Sequence, residues 1–222
     1  MSDVPEILLI DKPSGITSMD VIRQLRKRLN IKKIGHAGTL DPLATGLMII
    51  GVGPGTKKLT DLVKLDKEYV AEIRIGEQRS TGDLEGEVVA ERSVVDLEQS
   101  EVELALKDMV ATLTLEVSAY SAIKVGGVPM YKRARKAEVK GERVSELPVR
   151  EMKVFAAELE KYVCENDRAV ATVQFHVGSG TYIRSLAEEL GRRLGYPATL
   201  QWLRRTKVGV FDIKDAKQIE EV

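Results

Sequence analysis

The stretch "GHAGTLDPLATGLM", residues 35–48, leads from a glycine-rich loop into an apolar run of the kind that forms a buried strand. Asp41 admits two explanations. Asp is a preferred helix cap and Pro suits the first helical position, so Asp41 and Pro42 can open one turn of helix. Alternatively, a carboxylate on a loop beside a rigid strand can take part in chemistry. The choice between these explanations depends on the rest of the chain.

Strands and helices are mixed along the chain without a regular β-α-β repeat or a low-complexity linker. Alternating or continuous apolar runs predict strands, and apolar residues three and four positions apart predict helices. Ser18 is the predicted cap of the first helix, and the last helix is predicted to end at Gly195. The predicted strands cover 6–13, 46–53, 67–76, 112–117, 169–178 and 206–211, and the predicted helices cover 19–29, 56–64, 97–111 and 181–195.

The composition is that of an ordinary globular protein, since 43% of the 222 residues are hydrophobic and 31% are charged. No apolar run approaches the roughly 20 residues that cross a bilayer, and the N-terminus lacks a signal-peptide pattern, so we expect a cytoplasmic protein with no membrane partner. Cys164 is the single cysteine, and with only His36 and His176 beside it we expect no structural zinc site. No metal and no cofactor are expected, although this count leaves a carboxylate-bound magnesium ion open.

Basic residues are concentrated in three segments, although 34 basic and 34 acidic residues give a formal net charge of zero. Residues 23–33 and 192–207 contain no acidic side chain, and residues 124–150 hold eight basic residues against three Glu. The acidic residues are concentrated in 77–108 instead. Such segregation can build a positive face suited to a phosphate backbone, although each cluster alone can also be an ordinary solvated surface.

Residues 124–150 form the best candidate for an inserted lobe, because glycines and prolines bracket a basic helical piece. A segment of this kind is more suited to closing over a ligand than to joining the core. Lys132 and Arg133 are its candidate RNA contacts.

The stretch "GVGPGTKK", residues 51–58, follows a predicted strand and precedes a predicted helix, as a phosphate-binding loop does. Its glycines fit neither the Walker spacing nor the G-x-G-x-x-G spacing, so a nucleotide site is not expected. Backbone amides at this position can still hold one phosphate of a larger ligand.

Two further side chains are candidates for chemistry. Arg184 lies at the start of the last predicted helix, in "GSGTYIRSLAEEL", where a planar guanidinium is suited to one carboxylate or phosphate, although most arginines are solvated surface charges. Tyr69 alternates with Ala71 and Ile73, which is typical of a core aromatic on a strand. A tyrosine beside a carboxylate can also stack on a base and carry a proton.

These segments, in this order, resemble the RNA pseudouridine synthases of the TruB type, which isomerise uridine 55 in the TΨC loop of tRNA. The resemblance covers nearly the whole chain and is most specific in the first two of the matching stretches, which are "LLIDKPSGITS", "GHAGTLDPLATGLMIIGVGPGTK", "KEYVAEIRIG", "YSAIKVGG", "GSGTYIRSLAEELG" and "WLRRTKVGVF". It implies an α+β pseudouridine synthase fold with a mixed, largely antiparallel central sheet flanked by helices. It also implies that residues 124–150 are a thumb-like insertion within a single catalytic domain over 1–222.

The resemblance further implies the roles of individual residues. Asp41 is similar to the catalytic nucleophile, Tyr69 to the tyrosine that stacks on the flipped uracil, and Arg184 to the arginine that pairs with the catalytic aspartate. His36 resembles the histidine that fills the stack vacated by the target base. The remaining substrate and RNA contacts implied or proposed are Lys12, Asp83, Tyr182 and Leu203, together with Lys132 and Arg133.

The function that follows is conversion of one tRNA uridine to pseudouridine by base flipping, with Asp41 attacking either C6 of the ring or C1′ of the ribose. No cofactor, no obligate protein partner and a monomer are expected. Most similar proteins continue into a C-terminal PUA-type RNA-binding module, whereas this chain ends about a dozen residues after "TKVGVF", so we expect either a natural short form or a truncated one. Two other functions remain open: an RNA chaperone that does not need Asp41, and the same fold acting on a different RNA, including a guide-dependent target.

Overall fold

The computed structural model describes residues 4–121, 123–138 and 147–222. Within them the α-helices are α1 (Ser18–Leu29), α2 (Leu59–Leu62), α3 (Gln99–Asp108), α4 (Met130–Glu138) and α5 (Ile183–Leu194). The strands are β1 (Ile7–Lys12), β2 (Ile34–His36), β3 (Thr45–Val52), β4 (Lys67–Ile75), β5 (Glu77–Arg79), β6 (Val88–Glu91), β7 (Thr112–Glu116), β8 (Lys124–Val125), β9 (Val128–Pro129), β10 (Val149–Glu165), β11 (Arg168–Val177), β12 (Ala198–Val208) and β13 (Phe211–Asp212). Short 3-10 helices cover Gly53–Lys58, Ile213–Asp215 and Ile219–Glu221.

The main sheet of the described residues has nine strands, with the order β1-β3-β12-β4-β11-β10-β7 and with β2 paired to β3 and β13 to β12. Strands β1 and β3, like β7 and β10, pair antiparallel, whereas β12 and β3 pair parallel. The predicted α+β class with a mixed central sheet is therefore confirmed. No helix in the described ranges is long and apolar enough to cross a membrane.

The chain divides into two compact units, and each is described by itself. The first unit holds residues up to 71, with 174–180 and 202–222, and the second holds 72–173 and 181–201. The prediction of a single catalytic domain over 1–222 stays a prediction.

In the first unit, α1 begins one residue earlier than predicted and has a different cap. Thr17 accepts a hydrogen bond from the backbone of Asp20, whose carboxylate in turn accepts from the backbone of Thr17, which forms a capping box. The prediction of Ser18 as the cap is wrong, because its hydroxyl faces the loop that precedes β3 instead. The helix buries Val21 and Leu25 and leaves its basic residues exposed.

The first-unit core lies around β3, seven of whose eight residues are buried. Ala37, Leu47, Ile49 and Val208 form a buried cluster in this unit. The predicted strand at 206–211 is wrong as a single element: β12 ends at Val208, and Gly209 makes the turn into β13. Gly209 takes a φ of +52°, which favours glycine.

Replacing Gly46 by Ala is expected to cost about 3 kcal/mol of unfolding free energy. Gly46 has a φ of +106°, and a Cβ atom there would lie 2.3 Å from the backbone oxygen of Arg205. Gly53→Ala is the matched control, because Gly53 also has a positive φ but nothing lies within 4 Å of its Cβ position. Chemical denaturation should show about 1 kcal/mol for the control, and equal losses in both variants would contradict the close approach.

In the second unit, β10 and β11 are joined at Asn166 and Asp167, which both take positive φ values as a tight hairpin turn requires. Helix α5 ends at Gly195 in the left-handed conformation, so its predicted end is confirmed. The basic helical piece predicted within 124–150 corresponds to α4, which follows the β8–β9 hairpin. Residues 139–146 of that segment lie outside the described residues.

Candidate active site

The loop that carries Asp41 is held by hydrogen bonds from Lys12, the last residue of β1. The Lys12 side chain is fully buried, and its Nζ donates hydrogen bonds to the carbonyl oxygens of Pro13 at 2.8 Å, Ile16 at 2.7 Å and Pro42 at 3.2 Å. A charged group without exposure to water needs such acceptors to be tolerated. Lys12 therefore ties the β1–α1 connection to the residue that follows Asp41, and its support of the pocket stays a prediction.

Three more residues between the end of β1 and the start of α1 form hydrogen bonds with the loop. Ser18 Oγ donates to the Leu40 carbonyl and accepts from the Leu40 amide, both at 2.9 Å. The Gly15 amide donates to the Pro42 carbonyl at 2.9 Å, and Ser14 Oγ donates to the Leu43 carbonyl at 3.1 Å. Backbone groups on both sides of Asp41 are thus fixed by partners far away in sequence.

Asp41 itself lies in a turn rather than at the start of a helix. The Ala44 amide donates to the Asp41 carbonyl at 3.1 Å, and no helix includes residues 41–44. The helix-opening explanation of Asp41 and Pro42 is therefore wrong. Asp41 is half-buried, which suits a carboxylate that has to meet a ligand from a rigid support.

Arg205 closes the same loop from β12. Its side chain is 1% exposed, and it donates from Nε to the Leu47 carbonyl at 2.7 Å and from Nη2 to the Gly38 carbonyl at 3.2 Å. Those two carbonyls lie at the two ends of the loop. Sequence reasoning missed this role, because "WLRRTK" reads as a basic surface.

Three other predicted residues lie in the first unit. Tyr69 on β4 and Leu203 on β12 are each 7% exposed, and His36 at the end of β2 is half-buried. Burial, followed by the positive charge of Arg205, lowers the pKa of His36, so its imidazole is neutral at neutral pH. A neutral ring is the form suited to stacking in place of a base.

Lys67 is a buried cation that the sequence analysis did not single out. Its Nζ donates to the carbonyl oxygens of Val63, at 2.7 Å, and Leu65. Burial, followed by the charge of Arg205, lowers the pKa of Lys67 to about 8. Lys67 lies two residues before Tyr69, on the same face of β4. The alternating pattern of the strand could therefore have indicated that Lys67 is buried.

Arg184 lies in the second unit at the start of α5 and is 5% exposed. Its Nη1 donates to the Thr81 carbonyl at 2.8 Å and to Ser118 Oγ at 3.3 Å, and its Nη2 donates to the Tyr120 carbonyl at 3.3 Å. The Asp83 carboxylate lies 3.7 Å from Nη1. The guanidinium is thus oriented by several groups at once, as a positioned functional arginine requires.

Asp83 is 3% exposed and shapes the loop that supplies these acceptors. Its Oδ1 accepts from Thr81 Oγ1 at 2.6 Å and from the Glu85 amide at 3.1 Å. Asp83 also makes a β-bridge with Leu200. The pocket-supporting role predicted for Asp83 is consistent with this position beside Arg184.

The loop around Asp83 is held in turn by Arg79. Arg79 Nη1 donates to the carbonyl oxygens of Leu84 at 3.2 Å and Gly86 at 3.1 Å, while its Nε donates to buried Glu77 at 2.6 Å. Burial alone would raise the pKa of Glu77, but the hydrogen bond from Arg79 and the charges of Arg74 and Arg79 outweigh it and keep the pKa below its usual value. Sequence reasoning missed this pair, since Glu77 belongs to the acidic segment that reads as surface.

The other second-unit predictions are more exposed. Tyr182 is the cap residue of α5, is half-buried and donates its amide to Met152 Sδ at 3.5 Å. Lys132 and Arg133 are exposed on α4, and Arg133 donates to the Val125 carbonyl. Exposure leaves both side chains accessible to RNA, and closure of this segment over a ligand stays a prediction.

Two of the predicted basic clusters differ in how their charge is compensated. Lys27, Lys32 and Lys33 are exposed beside α1. In the cluster 192–207, by contrast, Arg205 is buried and the other cations pair with carboxylates, in the ion pairs Arg192–Glu189, Arg193–Glu189, Arg204–Asp11 and Lys207–Glu68. Three carboxylates, Glu189, Asp11 and Glu68, thus pair with four of the five cations of this cluster, and a positive face from 192–207 stays a prediction.

The predicted residues form no metal site and do not line a groove found in the second unit. Among the described residues, no three His, Cys, Asp or Glu side chains are grouped as a metal site requires. A groove of about 840 Å³ lies between β7 and α5 and includes Glu188, whose pKa is raised chiefly by burial. It contains none of the residues predicted for catalysis or RNA binding.

Comparison with known proteins identifies relatives over most of the chain. Residues 26–183 match the family model described as TruB family pseudouridylate synthase (N terminal domain). The chain is 43% identical over 217 residues to the tRNA pseudouridine synthase B of Leifsonia xyli subsp. xyli, which covers 96% of this chain and 70% of that protein. It is 40% identical over 218 residues to the tRNA pseudouridine synthase B of Opitutus terrae, covering 97% of this chain and 86% of that protein.

Solved structures share the fold at lower identity. One is a structure of an H/ACA RNP bound to a substrate RNA containing 2′-deoxyuridine, with a TM-score of 0.67 and 24% identity over 96% of this chain and 51% of that chain. Another is a Cbf5-Nop10-Gar1 complex, with a TM-score of 0.67 and 25% identity over 93% of this chain and 49% of that chain. This chain therefore spans about half the length of the two structural relatives.

Proposed function

Because the chain belongs to the TruB family of pseudouridylate synthases, we propose that it converts uridine 55 in the TΨC loop of tRNA to pseudouridine. The observation that carries the proposal is the grip on the loop around Asp41, where Lys12, Ser18 and Arg205 fix the backbone on both sides of one half-buried carboxylate. Such rigidity is what a nucleophile needs to meet a substrate atom at the right distance. Relatives with the printed name tRNA pseudouridine synthase B support tRNA as the substrate.

In the proposed reaction the target uridine swings out of the RNA stack and enters the site. The Asp41 carboxylate adds either to C6 of the uracil or to C1′ of the ribose, and the glycosidic bond to N1 breaks. The uracil turns and is rejoined to C1′ through C5. C5 loses its proton, N1 takes one up, and Asp41 is released. The sum is an isomerisation that requires neither an oxidant nor an energy source, so no cofactor is expected.

The other residues have supporting roles in this proposal. Tyr69 stacks on the flipped base and is the candidate for the proton transfer, and Leu203 supplies an apolar wall. The neutral imidazole of His36 occupies the vacated stack. Arg184 is the proposed partner of the Asp41 carboxylate, a role supported by the orientation that the Thr81 carbonyl and Ser118 impose on its guanidinium.

Transfer RNA would be gripped through phosphate contacts of the α1 cluster and of α4. Reversing two charges at once, in Lys32→Glu with Lys33→Glu, is expected to raise KM for tRNA about tenfold at physiological salt and to flatten its salt dependence, with kcat retained. Steady-state kinetics across a salt series measures this. The matched control is Lys107→Glu with Lys161→Glu, which makes the same charge change at exposed sites of the second unit; an equal rise in KM would argue against a specific contact.

The proposed function is tested by tritium release from tRNA transcribed with 5-tritiated uridine, since C5 loses its hydrogen when it bonds to C1′. We expect one tritium released per tRNA, and none when position 55 is cytidine. Release from the cytidine-55 transcript would show a different target uridine. A requirement for an added guide RNA would instead identify guide-dependent targeting. We expect the monomer to release tritium without any other protein.

A further inference from the structure

Arg205 is a buried charge whose partners are unusual. In the part of the chain that the structure describes it has no ion-pair partner, and its hydrogen bonds go to the carbonyl oxygens of Leu47 and Gly38. Burying an ion without a counter-ion costs several kcal/mol in proteins. The effect is visible on its neighbours, because the charge of Arg205 contributes to the lowered pKa values of His36 and Lys67.

The two hydrogen bonds of the buried Arg205 side chain close the loop that carries Asp41. Gly38 and Leu47 are the first and last residues around the loop 39–46, in which Asp41 lies, and one guanidinium bridges both. The backbone of Arg205 is fixed beside the end of that loop, since β12 pairs in parallel with β3 at Arg204 with Thr45 and Arg205 with Gly46. Gly46 permits this approach because it has no Cβ.

Neither of the two simplest replacements reproduces the bridge. Arg205 donates to the two carbonyl groups from two separate nitrogens, Nε and Nη2, whereas a lysine at this position would have to reach both from one nitrogen on a shorter side chain. Methionine keeps the apolar volume but has no donor at all. The loop would then be closed only from the side of Lys12 and Ser18.

We propose that Arg205 is a positioning residue for the reaction: by closing the loop 39–46 at both ends, it holds the Asp41 carboxylate at the attacking distance. The inference rests on the proposed function for its effect on turnover, but the loop closure stands on geometry within the first unit. Arg205 belongs to the basic segment 192–207, which the sequence alone suggested as a surface that contacts RNA. The proposal gives this arginine a role inside the site instead.

The test compares Arg205→Lys and Arg205→Met with wild type in single-turnover tritium release and in amide hydrogen exchange. The rate of the chemical step is expected to fall about 100-fold in each variant, as for a displaced catalytic group, with KM for tRNA unchanged. The Leu40 amide donates to Ser18 Oγ and the Ala44 amide to the Asp41 carbonyl, and exchange of both amides is expected to become faster. Lys207→Met is the matched control on the same strand, since it removes only a surface ion pair with Glu68.

Arg205→Met also keeps the test valid if the lysine variant is unstable, because it removes the uncompensated charge. A folded variant with wild-type turnover and unchanged exchange at Leu40 and Ala44 overturns the proposal. If wild type releases no tritium from tRNA, the proposed function fails, while the exchange measurement still decides whether Arg205 closes the loop.

Discussion

Asp41→Asn is expected to lower pseudouridine formation at least ~10⁴-fold while tRNA binding is retained, because the amide keeps the shape of the carboxylate but is not a nucleophile. The loop should remain intact in this variant. Its hydrogen bonds from Lys12, Ser18 and Arg205 involve backbone carbonyls and do not depend on the Asp41 side chain. Loss of activity would therefore report on chemistry rather than on folding.

The measurement is single-turnover tritium release at saturating enzyme, with filter binding for tRNA affinity. Asp61→Asn is the matched control, since Asp61 is an exposed aspartate of the same unit whose ion pair is with Lys64. Equal release by wild type and Asp41→Asn would refute the nucleophile assignment. If Asp41→Asn still promotes tRNA folding, an RNA chaperone activity exists separately from catalysis.

Arg184→Lys is expected to lower kcat by about 100-fold or more, with a smaller effect on KM. Arg184 donates to the Thr81 carbonyl, Ser118 Oγ and the Tyr120 carbonyl, and a lysine cannot donate to all three in their present positions. The positive charge is kept, but its direction is lost. A lysine would then bind the Asp41 carboxylate, the proposed partner, less well than the planar guanidinium does.

The control for this variant is Arg193→Lys, in the same helix, where the arginine pairs with Glu189. A double-mutant cycle on unfolding free energy, combining Arg184→Lys with Asp41→Asn, tests the proposed pair directly. A coupling of about 1–3 kcal/mol would support it, and additive losses would contradict it.

Much of the secondary structure could be predicted because it depends on local sequence. Helix α5 is one example, since its apolar face and Gly195 both mark it locally. Strand β4 is another, with its alternating burial. Strand β12 extends eight residues further toward the N-terminus than predicted, because "ATLQWLRRTKV" contains arginines that suggest a surface. Their partners, Asp11 and the carbonyl of Leu47, are more than 150 residues away in sequence, and no local pattern reports them.

The candidate site was predictable as a set of residue types but not as an arrangement. The resemblance supplied Asp41, Tyr69 and Arg184, and the glycines indicated a rigid loop. The hydrogen bonds that hold the Asp41 loop and Arg184 could not be predicted from the sequence. They join side chains to distant carbonyl oxygens, which every residue possesses. Ser18 illustrates this: its position favours a helix cap, and only the fold shows that its hydroxyl binds Leu40 instead.

The grip on the Asp41 loop through carbonyl oxygens has a consequence for variation and engineering. Lys12 and Arg205 bind main-chain atoms, so these contacts do not depend on the side chains at the exposed positions of the loop. Thr39 is exposed and Leu43 is half-buried, so both are positions of the loop where the side chain can be varied. A library that randomises these two positions would explore substrate scope while the chemistry remains in place.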